Sequence, residues 1–119
     1  MAGTVTLTEI KSKPLKRIKW AWTATAGGAA DKITVNGYYG KVMACVTIPD
    51  SGTAPTDNYD ITITDADGFD VLQGTGANRD TANTETAVPT TDSPVYGQLT
   101  LNVSNAGSGG KGVAILYVL

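Results

Sequence analysis

Apolar and polar residues alternate with a period of two along most of the chain. That is the period of a strand with one face buried. No window of about 11 residues keeps an apolar stripe at helical spacing. Val5 and Leu7 alternate with threonine over Thr4–Thr8. The phase then changes, because Ile10 is even-numbered and Glu9 holds the odd position. A bulge or bend near Glu9 is therefore expected. Pro14 has no amide proton and separates this strand from the next. In the second strand Ile18, Trp20, Trp22 and Ala24 share one face, and Arg17, Lys19, Ala21 and Thr23 the other. Gly27-Gly28 ends it.

Ile33 and Val35 open a third strand. Asn36-Gly37 follows, the strongest two-residue hairpin signal, since both positions tolerate positive φ. Val42, Ala44, Val46 and Ile48 align on one face of a long returning strand, and residues 49–58 form a polar loop. Tyr59, Ile61 and Ile63 alternate with polar residues up to the turn Asp65–Gly68. Phe69 and Val71 start a return strand, with Leu72 close behind. Residues 73–94 hold almost no large apolar residue except Val88 and read as a second long polar loop, with a short helical turn around Ala77–Ala82. Val95, Leu99, Leu101 and Val103 share a face of the next strand, and Asn105–Gly112 reads as a glycine-rich hairpin turn. In the last strand Val113, Ile115, Tyr117 and Leu119 share one face, while Leu116 and Val118 are apolar on the other. A strand apolar on both faces is either central and covered or meets another subunit. About eight short strands with Gly/Pro/Asp turns predict an all-β fold. The expectation is one antiparallel β-sandwich or barrel, Ig-like or jelly-roll-like, over residues 1–119.

Composition narrows the chemistry. The chain has 119 residues, which is the length of one domain. It has no histidine and one cysteine, Cys45. That removes Ser-His-Asp and Cys-His nucleophiles and the usual zinc sites. A lone cysteine closes no internal bridge, so stability comes from packing. Met1–Ile10 lacks the basic start and apolar run of a signal peptide, and no stretch reaches the roughly 18 apolar residues of a membrane span. Assembly in a cytoplasm is expected, with no membrane partner.

The net charge of −2 is unevenly placed. Residues 1–49 carry seven Lys/Arg and two acids, and residues 50–92 carry one Arg and nine acids. The basic cluster is Lys11, Lys13, Lys16, Arg17 and Lys19. A solvated strand edge explains it better than direct nucleic-acid binding, since edge lysines discourage aggregation. Complementary charge between identical neighbouring subunits is the favoured use.

Other candidates are each weighed against a structural explanation. Asp65, Asp67 and Asp70, with Asp60 nearby, place carboxylates at alternate positions, as a hard cation requires. The spacing is not that of an EF-hand, and a capped tight turn accounts for it better. Trp20 and Trp22, with Tyr38 and Tyr39, are candidates for a sugar-stacking platform. The tryptophans share the face of Ile18 and Ala24, so core packing is preferred. Tyr38 and Tyr39 point oppositely, so at most one joins the core. Cys45 lies out of phase with Val42, half-buried on a second face, and no motif makes it a nucleophile. No spacing singles out a carboxylate pair for glycoside hydrolysis, and Gly107–Gly112 lacks the Lys-Ser/Thr of a phosphate loop. No cofactor is implied.

Several blocks together resemble small virion proteins of tailed bacteriophages: Lys16–Thr23, Gly40–Val42, Thr47–Pro49, Pro55–Leu72 and Leu99–Gly107. The most specific is Tyr59-Asp60-Ile61-Thr62-Ile63-Thr64-Asp65-Ala66-Asp67-Gly68. The resemblance implies an all-β, non-enzymatic protein of the head or head–tail region, located in the virion. It carries no catalytic residues. The expected function is capsid decoration or cement, as a homo-oligomer bound to virion proteins such as the major capsid protein. The alternatives are a head–tail adaptor or tail component forming a ring, and a carbohydrate- or receptor-binding module. Expected contact residues are Lys11, Lys13, Lys16, Arg17, Lys19, Arg79, Leu116 and Val118, with the 73–94 loop.

Overall fold

The computed structural model describes residues 3–119. It is all-β, with nine strands in two antiparallel sheets packed as a sandwich. In chain order these are β1 (Thr4–Ile10), β2 (Lys16–Thr23), β3 (Ala30–Ile33), β4 (Tyr38–Pro49), β5 (Asp60–Thr64), β6 (Glu85–Ala87), β7 (Pro94–Gly97), β8 (Thr100–Ser104) and β9 (Lys111–Val118). The large sheet runs β1-β2-β9-β4-β6, with β7 pairing the first part of β4. The small sheet runs β3-β8-β5. Among the described residues no helix is long and apolar enough to cross a membrane.

The core forms where the alternation predicts it. Ile18, Trp20 and Trp22 point inward from β2, and Ile61, Ile63, Leu101 and Val103 meet them from the small sheet. Trp20 Nε1 donates to the Lys32 carbonyl at 3.1 Å, joining the two layers. Trp22 packs against Tyr59 with ring centroids 5.5 Å apart. Small residues on β9 make room for the indoles. In register, Gly112 faces Trp22 and Ala114 faces Trp20. A Cβ on Gly112 would meet Trp22 Cζ2 at 2.6 Å and the Ile48 carbonyl at 3.0 Å.

Several expectations are corrected. No bulge occurs at Glu9, since β1 pairs β2 residue for residue from Thr4 to Ile10. Glu9 instead keeps the inward face of Val5 and Leu7. Its carboxylate accepts hydrogen bonds from Val35 N, Asn36 N and Tyr38 Oη at 3.0, 3.1 and 2.8 Å. The bulge lies in β4, where register shifts between Val42 and Ala44. Cys45 and Thr47 therefore face the core, and Val46 and Ile48 face outward. Near the same kink Gly40 has φ +147° and lies against the Leu119 carbonyl, leaving no room for a Cβ.

Three turns expected to close or continue one sheet instead change sheets. β3 pairs β8, so Asn36-Gly37 is a crossing to β4, not a hairpin. The strand expected from Val95 to Val103 breaks at Gly97, where φ is +93°, into β7 and β8. β8 and β9 lie in different sheets, so Asn105–Gly112 is a second crossing. The return strand after Asp65–Gly68 reduces to one bridge, Thr64 with Asp70. The helical turn at Ala77–Ala82 does not form, and the 73–94 loop contains β6, paired with Cys45–Thr47.

Gly112→Ala overpacks the Trp22 site and should cost about 1–3 kcal/mol in urea unfolding. Glu9→Ala removes three hydrogen bonds, those to Asn36 N and Tyr38 Oη part-buried, and should cost about 1–3 kcal/mol. Burial, the largest single influence on Glu9, pushes its pKa up, but the hydrogen bonds from Tyr38, Asn36 and Val35 together hold it below its ordinary 4.5. Its stabilisation is complete above that value and is lost as pH falls through the lowered folded value. The wild-type protein should therefore lose more stability than Glu9→Gln as acid titrates below pH 4.5.

Candidate functional site: the open face of the large sheet

The inner face of the large sheet is covered by the small sheet. Among the described residues its outer face has no layer over it. Registers define this face from β1 to β6. One rung runs Thr6, Ala21, Val113, Ile48. The next runs Thr8, Lys19, Ile115, Val46, Thr86. A third runs Ile10, Arg17, Tyr117, Ala44. Ile115 is only 6 % exposed although no other described strand lies above it. It sits between Lys19 and Val46, whose side chains crowd the central strand.

The face continues onto the β4–β7 ladder. Tyr39 pairs with Tyr96, and their rings meet edge to face at 4.9 Å. Both are exposed, Tyr96 at 77 %. Met43, at the β4 bulge, is exposed nearby. At the opposite end a groove of about 580 Å³ opens between Thr6, Ala21, Ile48, Asp50, Lys111 and Val113. Arg17, Lys19 and Lys111 give the strand rungs positive charge, and no strand position on the face is Asp or Glu. Arg17 Nε donates to Tyr117 Oη at 3.4 Å. The outer face of the small sheet is more polar and carries acid, with Thr62, Thr64, Thr100, Asn102 and Asp31 beside the exposed Ile33.

The structure separates the expected contact residues. Arg17 and Lys19 lie on the open face. Lys11 and Lys13 are exposed in the β1–β2 turn. Lys16 donates to the Tyr39 carbonyl at 3.4 Å. Leu116 and Val118 are corrected: both are 0 % exposed in the core and offer no surface to a partner. β9 is apolar on both faces because it is central. Arg79 is also corrected. Its side chain is turned in, paired with Glu85 at 3.6 Å and bonded to the Ala77 carbonyl.

The acidic turn is built from caps. Asp65 Oδ1 accepts from Asp67 N and Phe69 N, both at 3.0 Å. Asp70 accepts from Ile63 N, Leu72 N and Gly74 N. Asp60 accepts from Asn78 N and Asn105 Nδ2. Among the described residues no group of three or more carboxylate, thiol or imidazole side chains lies together to hold a metal ion. Trp20 and Trp22 are core residues, so neither supplies a sugar-stacking surface. Tyr38 is buried and Tyr39 exposed, as their alternation requires.

Cys45 is wholly buried on the core side of β4. Burial pushes its thiol up to about 12, against a smaller opposing pull from Arg79. Tyr59 is enclosed nearby, and burial pushes its hydroxyl up to about 12 as well. Neither group reaches solvent, so neither forms a reaction centre open to a substrate.

No family model, curated protein or solved structure matches the chain.

Sequence reasoning missed Tyr96, Met43 and the outward turn of Val46 and Ile48. The β4 bulge reverses their faces, and a bulge leaves no fixed sequence mark. The Cys45 environment is directly testable. The native protein should resist a thiol reagent at pH 8 under conditions where the urea-unfolded chain reacts fully, because the thiolate is the reacting form.

Proposed function

We propose that the chain is a non-enzymatic structural protein of a virion, of the capsid decoration or cement type. It acts as an oligomer and docks on the shell through the open face of the large sheet, with the major capsid protein as partner. One observation carries the docking reading. The two outer faces of the sandwich differ: the small sheet presents hydroxyls, amides and the acids Asp31 and Asp60, with Ile33 as its exposed aliphatic residue, while the large sheet presents several aliphatic residues, three tyrosines, Met43 and cations. Interface cores are enriched in aromatic residues, Met and Arg and depleted in Lys and acids, so the tyrosines, Met43 and Arg17 fit such a core and the lysines its polar rim. Exposed faces of that composition mark contact surfaces.

The positive charge selects an acidic partner surface and speeds encounter with it. The virion assignment rests on the resemblance of Lys16–Thr23, Pro55–Leu72 and Leu99–Gly107, and localisation in the virion follows from it. In the structure the first of these blocks is β2, which supplies Arg17 and Lys19 to the face.

The test combines binding and counting. Undecorated capsids should take up the purified chain in co-sedimentation. Tyr96→Ala combined with Lys19→Glu changes only open-face residues. It should weaken uptake at least about tenfold, the size of a lost interface anchor, with unchanged thermal unfolding. Densitometry of intact particles should give copies in the hundreds. A count near a dozen indicates a ring adaptor instead, and no uptake by capsids overturns the docking reading.

A further inference from the structure

A sandwich has sheet edges as well as faces, and those of this chain are not alike. β6 is three residues long. β7 is four residues long and begins with Pro94. β5 is covered by its own chain, since Ile61 N donates to the Gly76 carbonyl, Val71 N to the Ile63 carbonyl and Arg79 N to the Tyr59 carbonyl. β3 is short and carries Asp31 and Lys32, both exposed. Short length, proline, charge and cover are the usual protections of an edge.

β1 lacks the short length, the proline and the cover of the others. It runs seven residues, Thr4–Ile10, in regular register with no proline, lysine or bulge. Among the described residues its backbone bonds only to β2. Alternate residues of such a strand turn their N–H and C=O groups away from the sheet. Its single charge, Glu9, is held back by Val35, Asn36 and Tyr38 and does not guard the edge. Val5 and Leu7 point inward yet remain only half-buried, because the sandwich is open on this side. Ile33 and Val35 stand exposed beside the same edge, Val35 at 76 %.

We propose that the β1 edge pairs antiparallel with β1 of a second copy, joining the two large sheets across a two-fold axis. The strand is self-complementary. The register that overlaps its whole length is centred on Leu7. It sets Thr4 against Ile10, Val5 against Glu9, Thr6 against Thr8, and Leu7 against its own copy. No like charges face each other, and β-branched and aliphatic residues fill every rung but the Val5–Glu9 pair. Val5 and Leu7 gain the cover they lack. Each copy holds one such edge, so pairing closes at a dimer and does not propagate. This supplies the oligomer contact of the function proposed above and engages only the β1 margin of the open face, leaving the face from β2 to β7 uncovered.

The test is the mass of the full chain in sedimentation equilibrium over rising concentration. The wild type should move from 12.3 kDa to twice that value. Thr6→Lys combined with Thr8→Lys changes two exposed outward positions and sets four added cations opposite one another. It should raise the dimer dissociation constant at least about tenfold, with only a small loss of thermal stability, because Thr8 stands opposite Lys19 in register. A wild type that stays monomeric up to about 1 mM overturns the proposal. So does a double-lysine variant that dimerises like the wild type, because the copies then meet elsewhere. A monomer that still binds capsids overturns edge pairing alone, and a dimer that ignores capsids overturns the docking reading alone.

Discussion

Two indoles side by side on one strand set the terms for the whole sandwich. Trp20 and Trp22 project from the same face of β2 and are buried. Each needs a large apolar volume, and each carries an N–H that burial takes away from water. Trp20 resolves its N–H on the Lys32 carbonyl, which fixes β3 over β2. Trp22 is met by Tyr59 at the start of the β5 segment, which fixes the far side of the small sheet. The volume is balanced on β9, where Gly112 and Ala114 stand opposite the two rings. Large-against-small matching of this kind is how a sandwich core reaches close packing. The Glu9 carboxylate then ties β1 to the β3–β4 crossing, so the small sheet is held at its edge as well as its centre.

Period and face were legible in the residues, while pairing was not. The inward set of β2, β5 and β8 follows from strict alternation, because a side-chain period of two leaves no other choice. Turn chemistry was a poorer guide. Asn36-Gly37 and the Gly107–Gly112 run do reverse the chain, but a reversal in a two-layer protein reaches either the neighbouring strand or the opposite sheet. Local residues do not distinguish these outcomes. The core does, by placing β3 and β8 over the tryptophans. The misassigned face of Val46 and Ile48 has a similar origin. One extra residue between Val42 and Ala44 inverts the remainder of β4. Glu9 misled because a charged residue in an apolar phase reads as a phase change, whereas here three donors make its inward position favourable.

The same accounting explains which charges remain available to a partner. The acidic middle of the chain is largely committed to its own loops. Asp50, Asp57, Asp60, Asp65, Asp70 and Asp80 each accept hydrogen bonds from nearby backbone N–H groups. Glu85 holds Arg79 and the Asp80 amide, and Asp92 pairs with Lys41. These carboxylates shape turns, much as caps end helices. The basic residues are less engaged. Among the described residues Lys11, Lys13, Lys19 and Lys111 make no side-chain hydrogen bond or ion pair, and Arg17 contacts only the Tyr117 hydroxyl. The near-neutral total therefore hides an asymmetry of use as well as of place. Negative charge holds the loops in shape, and positive charge stands free beside an uncovered apolar sheet. A partner meeting that face with carboxylates gains attraction without first breaking ion pairs within this chain, which is why the face, and not the acidic loops, carries the docking reading.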